Sequence, residues 1–224
     1  PDIGQAHITA GNADILGNIY SVFFSPHELR LIQDGPDKRR RFLNISISQL
    51  SKPYYVALSR YNKILEQRNN LLKNRDMSLV YETLPVWDEQ LCKYAAVVAA
   101  KRTEFAAMLA PLAMEIHSYL TDGAEVLEIS PEKKYKGDEK ELSEKLFAEL
   151  SANYERDIRL GFTASGPHRD DLDIVIDGAD AKNFASQGQM RTAALSVKLA
   201  EVEIFKKMSG EYPVLILDDV MSEL

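Results

Sequence analysis

The sequence predicts an α/β protein that combines a small sheet with a long pair of antiparallel helices. Residues 19–24 form a short β-branched and aromatic run closed by Ser25-Pro26, as is typical of a strand. From Ser51 onward, apolar residues recur at helical spacing as far as Tyr119. Close to the end, a helical segment precedes the apolar run 214–217, and a helix that leads into a buried strand favours an α/β core.

Two amphipathic helices are predicted in the middle of the chain. The first begins at Ser51 and has about 20 residues, since Pro53 is tolerated in a first turn. The pattern lapses between residues 74 and 84 and then continues with heptad-like spacing, interrupted only at Lys101 and Arg102. Because roughly 10 residues join the two segments, we expect them to lie antiparallel as an arm, each burying the other's apolar stripe.

Strands and helices are mixed in the rest of the chain. We expect a strand at 126–129, a charged loop at 130–141 and a helix at 142–158. These are followed by a half-buried antiparallel strand at 172–177, a second helix at 189–207 and a buried central strand at 214–217. The antiparallel strand is indicated by apolar residues that alternate with aspartates.

Composition restricts the class of protein. The 224 residues are 45% hydrophobic and 27% charged, which is enough to bury a core. No apolar run reaches the roughly 18 residues of a membrane helix, so we expect no membrane contact and a cytoplasmic protein. Cys92 is the only cysteine, which excludes an intrachain disulfide and a thiolate metal cluster.

Charge is distributed unevenly along the chain. Residues 1–75 contain eleven Lys and Arg against six Asp and Glu, which gives +5 and, from a whole-chain charge of −7, leaves −12 for residues 76–224. A contact with a polyanion is therefore expected in the first third. Its densest basic cluster comprises Lys38, Arg39, Arg40 and Arg41. These residues could contact DNA phosphates; alternatively, they pair with acidic side chains and fix the base of the arm.

One helix start has the chemistry of a phosphate-binding site. Backbone N–H groups at a helix N-terminus are unpaired and lie at the positive end of the helix dipole, so they favour anions. Such a start is formed by Ser186, Gln187, Gly188 and Gln189. Ser186 can cap the helix or offer its hydroxyl to a phosphate, Gly188 allows close approach, and Gln189 presents an amide. On its own, such a turn is more often a simple helix cap.

Two aspartates follow the apolar run 214–217. Ligands of open α/β sheets bind at the carboxyl ends of strands. Asp218 is thus placed to reach Mg²⁺, directly or through water, and Asp219 to polarise the water that attacks a γ-phosphate. The alternative is a solvated strand end, which the preceding helix motif disfavours.

Four sequence blocks resemble the RecF family of bacterial gap-repair proteins. Residues 185–201 resemble its ABC signature helix, and 215–224 resemble its Walker B strand with the first residues of the D-loop. Residues 26–43 contain the family's Pro, acidic, Leu and Pro-x-x-Arg-Arg-x-Phe-Leu block, and 166–172 contain its Gly-Pro-His segment. Together the blocks extend over nearly the whole chain.

The resemblance implies an ABC-type ATPase lobe, similar to that of the chromosome-maintenance ATPases, with an inserted helical arm. Residues 1–28 and 162–224 would belong to the ATPase lobe, and 29–161 to the arm, lobe II. It further implies that two subunits close head-to-tail over two ATP molecules with Mg²⁺. Residues 186–189 would then contact ATP held by the other subunit, whereas the two aspartates would serve the site of their own subunit.

The family's phosphate-binding loop does not occur in this sequence. No Gly-x-x-x-x-Gly-Lys-Ser/Thr is found in the 224 residues, although that loop holds most of the phosphate. We therefore expect this chain alone neither to hydrolyse ATP nor to bind it tightly. Because it begins at Pro1 and stops just after the strand at 214–217, we expect a piece of a longer protein.

Two functions from different classes are consistent with these observations. The first is an ATP-dependent DNA-binding protein of recombinational gap repair, which dimerises on ATP and acts with RecR and RecO to load recombinase at junctions of single- and double-stranded DNA. The second is a non-catalytic scaffold that uses the arm as its interaction surface. His168 is expected to be a buried turn residue that couples the arm to the ATPase lobe, and no chemistry is assigned to it.

Overall fold

The computed structural model describes residues 17, 19–25, 28–74, 76–132 and 135–218 of the chain. In these ranges the elements follow one another as β1 (Ser21–Phe24), a short 3-10 helix (Glu28–Leu31), α1 (Pro36–Leu50), α2 (Lys52–Leu72), α3 (Met77–Leu120), β2 (Leu127–Pro131), α4 (Glu139–Ala152), α5 (Tyr154–Leu160), β3 (Leu172–Ile176), β4 (Ala179–Asp180), α6 (Ala181–Phe184), α7 (Gln187–Ser209) and β5 (Val214–Leu217). Helices that pack around two small sheets confirm the predicted α/β class.

The two sheets differ in topology. β1 and β5 pair in parallel, with Phe24 opposite Leu217. β2, β3 and β4 form an antiparallel sheet in which Leu127 lies opposite Ile176. The half-buried antiparallel strand predicted at 172–177 is confirmed as β3. Because parallel strands direct their carboxyl ends to the same edge of a sheet, β1 and β5 end side by side.

The strand predicted at 214–217 is present, but within the described residues it does not have the burial expected of a central strand. All four residues of β5 are exposed, from 45% at Ile216 to 67% at Leu217. α7 packs against β1, and within the described ranges β1 is the one strand paired with β5. The apolar run identifies the strand correctly, but burial depends on which elements lie beside it.

The basic cluster lies on α1, a helix that the sequence pattern does not predict. α1 begins at Pro36, a favourable first helical position. Its buried positions include Phe42 and Leu43 but also Ser46 and Gln49. Since the buried face mixes polar with apolar residues, the apolar period is too weak to reveal the helix.

α2 and α3 form the expected antiparallel arm. Tyr54 contacts Arg102, and Arg68 contacts Asp88. Residue numbers therefore increase along α2 where those of the facing residues of α3 decrease, which shows that the two helices are antiparallel. α2 has 21 residues and begins after Ser51, whose hydroxyl accepts a hydrogen bond from the Tyr54 N–H at 3.3 Å. The first predicted helix is therefore confirmed.

α3 begins earlier than predicted. In the segment 74–84, where the apolar pattern lapses, the chain is helical from Met77 onward, because Asp76 caps the helix and Leu84 is fully buried. One turn after Leu84 the buried position is Asp88, a charged residue that an apolar pattern cannot detect. α3 is 44 residues long, yet neither it nor another helix of the described ranges is long and apolar enough to cross a membrane.

The single helix predicted at 142–158 is interrupted. α4 ends at Ala152 and α5 begins at Tyr154. Between them the side-chain amide of Asn153 donates through Nδ2 to the carbonyl oxygen of Glu149 at 2.7 Å, which ties Asn153 to the last turn of α4. Local side-chain bonding of this kind competes with continuation of a helix.

A buried charge cluster fixes the arm to α5. The Arg68 guanidinium lies 2.5 Å from Asp88 and 2.7 Å from Asp157, and all three side chains are 0% exposed. The Thr163 hydroxyl accepts from the same guanidinium at 2.7 Å, and the Ala164 N–H donates to Asp157 at 3.0 Å. Although burial by itself lowers the pKa of Arg68, the hydrogen bonds to Asp88 and Asp157 raise it. The charges are satisfied only when α2, α3, α5 and the following turn meet.

Replacing Arg68 by Met is expected to destabilise the protein by about 3–5 kcal/mol, because two buried carboxylates would lose their counter-charge. The free energy of unfolding from chemical denaturation measures this. Arg60, exposed on the same helix, provides the matched control: Arg60→Met should change stability by less than about 0.5 kcal/mol. Equal effects of the two substitutions would contradict the role assigned to Arg68.

Candidate functional site

The predicted phosphate-binding turn is the N-terminus of α7. The Ser186 hydroxyl accepts from the Gln189 N–H at 3.2 Å, and the Gln189 side chain accepts from the Ser186 N–H at 2.9 Å. This reciprocal pair is a capping box, so the helix-cap interpretation of the turn is confirmed. The cap satisfies one of the first-turn donors, and the N–H groups of Gln187 and Gly188 lie at the open end of the helix.

This helix end is open to solvent. Ser186, Gln187 and Gly188 are exposed, and Gln189 is half-buried. A Cβ atom at Gly188 would meet nothing closer than the Ser186 hydroxyl at 3.9 Å, and its backbone does not have a positive φ. The fold therefore does not require glycine here, although glycine weakens a helix by about 0.5–1 kcal/mol relative to alanine. Glycine instead suits close approach by a group from outside the chain.

Buried polar contacts hold α7 in place behind its first turn. The Ser196 hydroxyl lies 3.2 Å from Nδ1 of His117 on α3. Lys198 and Glu201, both almost fully buried, form an ion pair at 2.5 Å. The Ser46 hydroxyl on α1 donates to the other oxygen of Glu201 at 2.5 Å. The position of the α7 N-terminus is thereby fixed against both α1 and α3.

Asp218 lies at the edge where β1 and β5 end. Its N–H donates to the carbonyl oxygen of Phe24 at 2.9 Å, and its side chain is exposed. One exposed carboxylate at such an edge suits Mg²⁺, which prefers oxygen ligands and keeps several waters. Asp219 lies outside the described residues. Among those that are described, no group of three or more His, Cys, Asp or Glu is placed to hold a metal ion.

Arg39 is engaged within the fold. Two of its guanidinium nitrogens donate to the Asp171 carboxylate, both at 2.7 Å. The third donates to the carbonyl oxygens of Leu31 at 3.2 Å and Asp34 at 2.9 Å. Arg39 is only 5% exposed. It therefore joins α1 to the segment before β3. For Arg39 this agrees with the alternative that the basic residues pair with acidic side chains.

The other members of the basic cluster differ in exposure. Arg40 donates to the carbonyl oxygen of Asp170 at 2.7 Å and to the carboxylate of Asp37. Lys38 and Arg41 are exposed. The cluster consequently divides into two residues that position α1 and two that face solvent.

His168 connects the turn before β3 to the arm. Its Nε2 lies 3.0 Å from the carbonyl oxygen of Thr163, and because a carbonyl only accepts, Nε2 carries the proton. Nδ1 then accepts from the Tyr61 hydroxyl at 2.6 Å. Burial lowers the pKa of His168 to about 4, so the ring is neutral at pH 7. These contacts agree with the coupling role expected from the sequence.

Arg102 has a structural role, although in the sequence pattern it is only an interruption of the apolar seam. It is 8% exposed, and its guanidinium donates to the carbonyl oxygen of Pro167 at 2.6 Å and to the Asn44 side chain at 2.9 Å. It thus joins α3 to α1 and to the same turn as His168. The sequence signal for this role is a basic residue at a position that the apolar period predicts to be buried.

The chain is similar to curated proteins that are named DNA replication and repair protein RecF. It is 45% identical over 216 residues to the DNA replication and repair protein RecF of Alkaliphilus oremlandii, covering 94% of this chain and 58% of that protein. It is 46% identical over 230 residues to RecF of Halothermothrix orenii, covering 100% of this chain and 60% of that protein. The chain therefore spans about three fifths of the length of the relatives it matches. No protein-family model matches it.

Solved structures agree with these relatives. The chain superimposes with a TM-score of 0.87 and 37% identity on a structure described as the recombination mediator protein RecF-ATPrS in the RecFOR pathway, covering 96% of this chain and 59% of the other. A second structure, described as RecF-ATP in the same pathway, gives a TM-score of 0.84 at 38% identity and covers 94% and 57%.

The neutral state of His168 predicts a specific pH dependence of stability. The pKa is lowered from 6.5 to about 4, so between pH 6.5 and pH 4 the His168 ring is protonated in the unfolded state but neutral in the folded state. Stability contributed by the neutral ring is complete above pH 6.5 and is lost as pH falls toward 4, by about 1.4 kcal/mol per pH unit. Denaturation at a series of pH values measures the slope.

The substitution His168→Gln separates this effect from that of the carboxylates that titrate in the same range. Glutamine keeps a donor and an acceptor but does not titrate, so its slope between pH 6.5 and 4 should be shallower than that of the wild type. Tyr61→Phe should lower stability but keep the slope, because burial is the main cause of the shift. Identical slopes for wild type and His168→Gln would refute the prediction.

Proposed function

Because this chain belongs to the RecF family over the part of those proteins that it spans, we propose that it forms part of an ATP-dependent DNA-binding protein of recombinational gap repair. Its fold is part of an ABC-type ATPase lobe with an inserted helical arm. We divide it into lobe I at 1–28 and 162–224 and the arm at 29–161. The relatives' names, which specify DNA replication and repair and the RecFOR pathway, support this function.

The open N-terminus of α7 is the observation that carries the proposal. In a head-to-tail dimer, residues 186–189 would contact the γ-phosphate of ATP held by the other subunit. The Ser186 hydroxyl accepts in the capping box, which leaves its own proton for a phosphate oxygen. The unoccupied space at Gly188 permits the phosphate to approach the backbone, and the helix dipole favours its charge.

The carboxyl edge of β1 and β5 would serve the ATP site of its own subunit. We assign Asp218 to Mg²⁺, directly or through a water, on the basis of its exposed carboxylate at this edge. Mg²⁺ bound with ATP neutralises phosphate charge. Asp219 is assigned to the polarisation of the attacking water.

Division of each site between two chains links ATP binding to dimerisation, since each must strengthen the other. The dimer would act with RecR and RecO to load recombinase at junctions of single- and double-stranded DNA. Within the basic cluster we assign contact with DNA phosphates to Lys38 and Arg41, which are exposed. Arg39 and Arg40, which bind Asp171 and the Asp170 carbonyl, would position α1.

The second function, a scaffold that uses the arm, is favoured by a groove of ≈ 580 Å³ between α3 and α4. Its apolar lining includes Pro85, Val86, Cys92 and Phe147. Such a surface could dock another protein without ATP. This function would be favoured if variants at Ser186 and Gly188 had a phenotype that does not depend on ATP.

Ser186→Asp tests the phosphate contact without loss of the cap. Aspartate caps a helix about as well as serine, so the free energy of unfolding should change by less than about 0.5 kcal/mol. Its charge would repel a triphosphate, and ATP-dependent dimerisation should be lost. Sedimentation velocity of the full protein with and without ATP and Mg²⁺ measures this.

Ser51→Asp is the matched control. Ser51 caps α2 in the same way, by accepting from the Tyr54 N–H at 3.3 Å, but it lies outside the nucleotide motifs. This variant should dimerise with ATP as the wild type does. If Ser186→Asp also dimerised normally, the assignment of residues 186–189 to ATP would be wrong.

Gly188→Ala is expected to separate folding from function. Alanine should stabilise α7 by up to about 1 kcal/mol, because it is the better helix former and its Cβ has space. The added methyl group occupies the approach to the helix end, so ATP-dependent dimerisation should weaken. Thermal denaturation and sedimentation measure the two effects. A variant that is more stable and dimerises as readily as the wild type would contradict close approach of the phosphate.

A further inference from the structure

We propose that the outer face of α2 binds the phosphate backbone of nucleic acid. This face is defined by six exposed residues: Lys52, Ser59, Arg60, Lys63, Gln67 and Asn70. The inference rests on the proposed function, since it assigns to the DNA-binding protein a surface beyond Lys38 and Arg41. It accounts for basic residues in the first third of the chain that the basic cluster does not include.

The helix places these six residues on one side. At about 100° per residue they fall within an arc of roughly 100°, which also contains the exposed Val56 and is bordered by the exposed Glu66. The opposite side carries the buried positions, among them Tyr54, Tyr61, Ile64 and Arg68, and packs against α3. From Lys52 to Asn70 the face is about 27 Å long, which corresponds to about eight base pairs of a duplex.

In the ranges that the structure describes, the cations of this face are not neutralised by ion pairs with neighbouring carboxylates. Within the described part of the chain, Lys101, Lys140 and Lys198 each pair with a glutamate three or four residues away. Lys52, Arg60 and Lys63 have no carboxylate within 4.0 Å among those residues. Glu66 is the only acidic residue of α2. The three cations therefore add their charges instead of neutralising them internally.

The side-chain chemistry of the face favours nucleic acid over a membrane. Serine, glutamine and asparagine between the cations are hydrogen-bonding groups that contact phosphate and sugar. A helix that binds a membrane surface needs an exposed apolar face, whereas the apolar side of α2 is buried against α3. On the exposed side, the one large apolar residue is Val56, at 48% exposure.

Charge reversal of two central residues tests the proposal in the full protein. Arg60→Glu with Lys63→Glu should weaken binding to a 20-base-pair duplex about 10-fold or more, and the slope of log K against log salt should become shallower by about 1.8, since two phosphate contacts are lost. Lys140→Glu with Lys145→Glu makes the same charge change on exposed positions of α4 and should leave both quantities unchanged. Arg60→Gln with Lys63→Gln provides a second variant if the reversed one does not fold.

The outcomes separate this inference from the proposed function. If the wild type binds duplex DNA and the α2 variants bind it with the same affinity and salt slope, the inference is overturned while the function stands. If the wild type does not bind DNA, both are overturned. Loss of binding to anionic phosphatidylserine vesicles, with DNA binding intact, would assign the face to membranes and also overturn the inference.

Discussion

The guanidinium of Arg68, held between Asp88 and Asp157, is the contact on which the arm depends. A charge in a fully buried position is tolerated only when its counter-charges and hydrogen-bonding partners are all in place. Arg68 lies on α2 and its partners lie on α3, α5 and the turn at Thr163, so the charge is satisfied only when these four elements meet. The cluster therefore specifies how the arm closes as well as contributing to its stability.

Polar contacts continue from this cluster toward the base of the arm. The backbone of Thr163 accepts from His168, which is bound to Tyr61, and the adjoining Pro167 carbonyl binds Arg102. A few residues further, Asp171 binds Arg39 on α1. The segment 163–171 thus fastens both helices of the arm to α1, and the Gly-Pro-His block contributes to these structural contacts.

α3 connects these contacts to α7, the helix that carries the proposed nucleotide contact. The same helix that carries Asp88 and Arg102 also carries His117, which meets Ser196 in the middle of α7. The first turn of α7, with Ser186 and Gly188, is consequently an exposed tip on a firmly packed helix. Such a tip can meet a ligand held by another subunit without rearranging its own chain, which suits a site shared between two chains.

The sequence by itself determined the α/β class, the antiparallel arm and the helix start at Ser186, because apolar periodicity and capping chemistry are local properties. It did not determine the exposure of β5, the start of α3 or the roles of Arg39 and Arg102. Those depend on residues distant along the chain: β5 on the elements beside it, and each buried charge on a partner that no local pattern identifies. The lapse at 74–84 shows the reason most directly, since the buried position after Leu84 is Asp88, and only the tertiary structure supplies Arg68 to neutralise it.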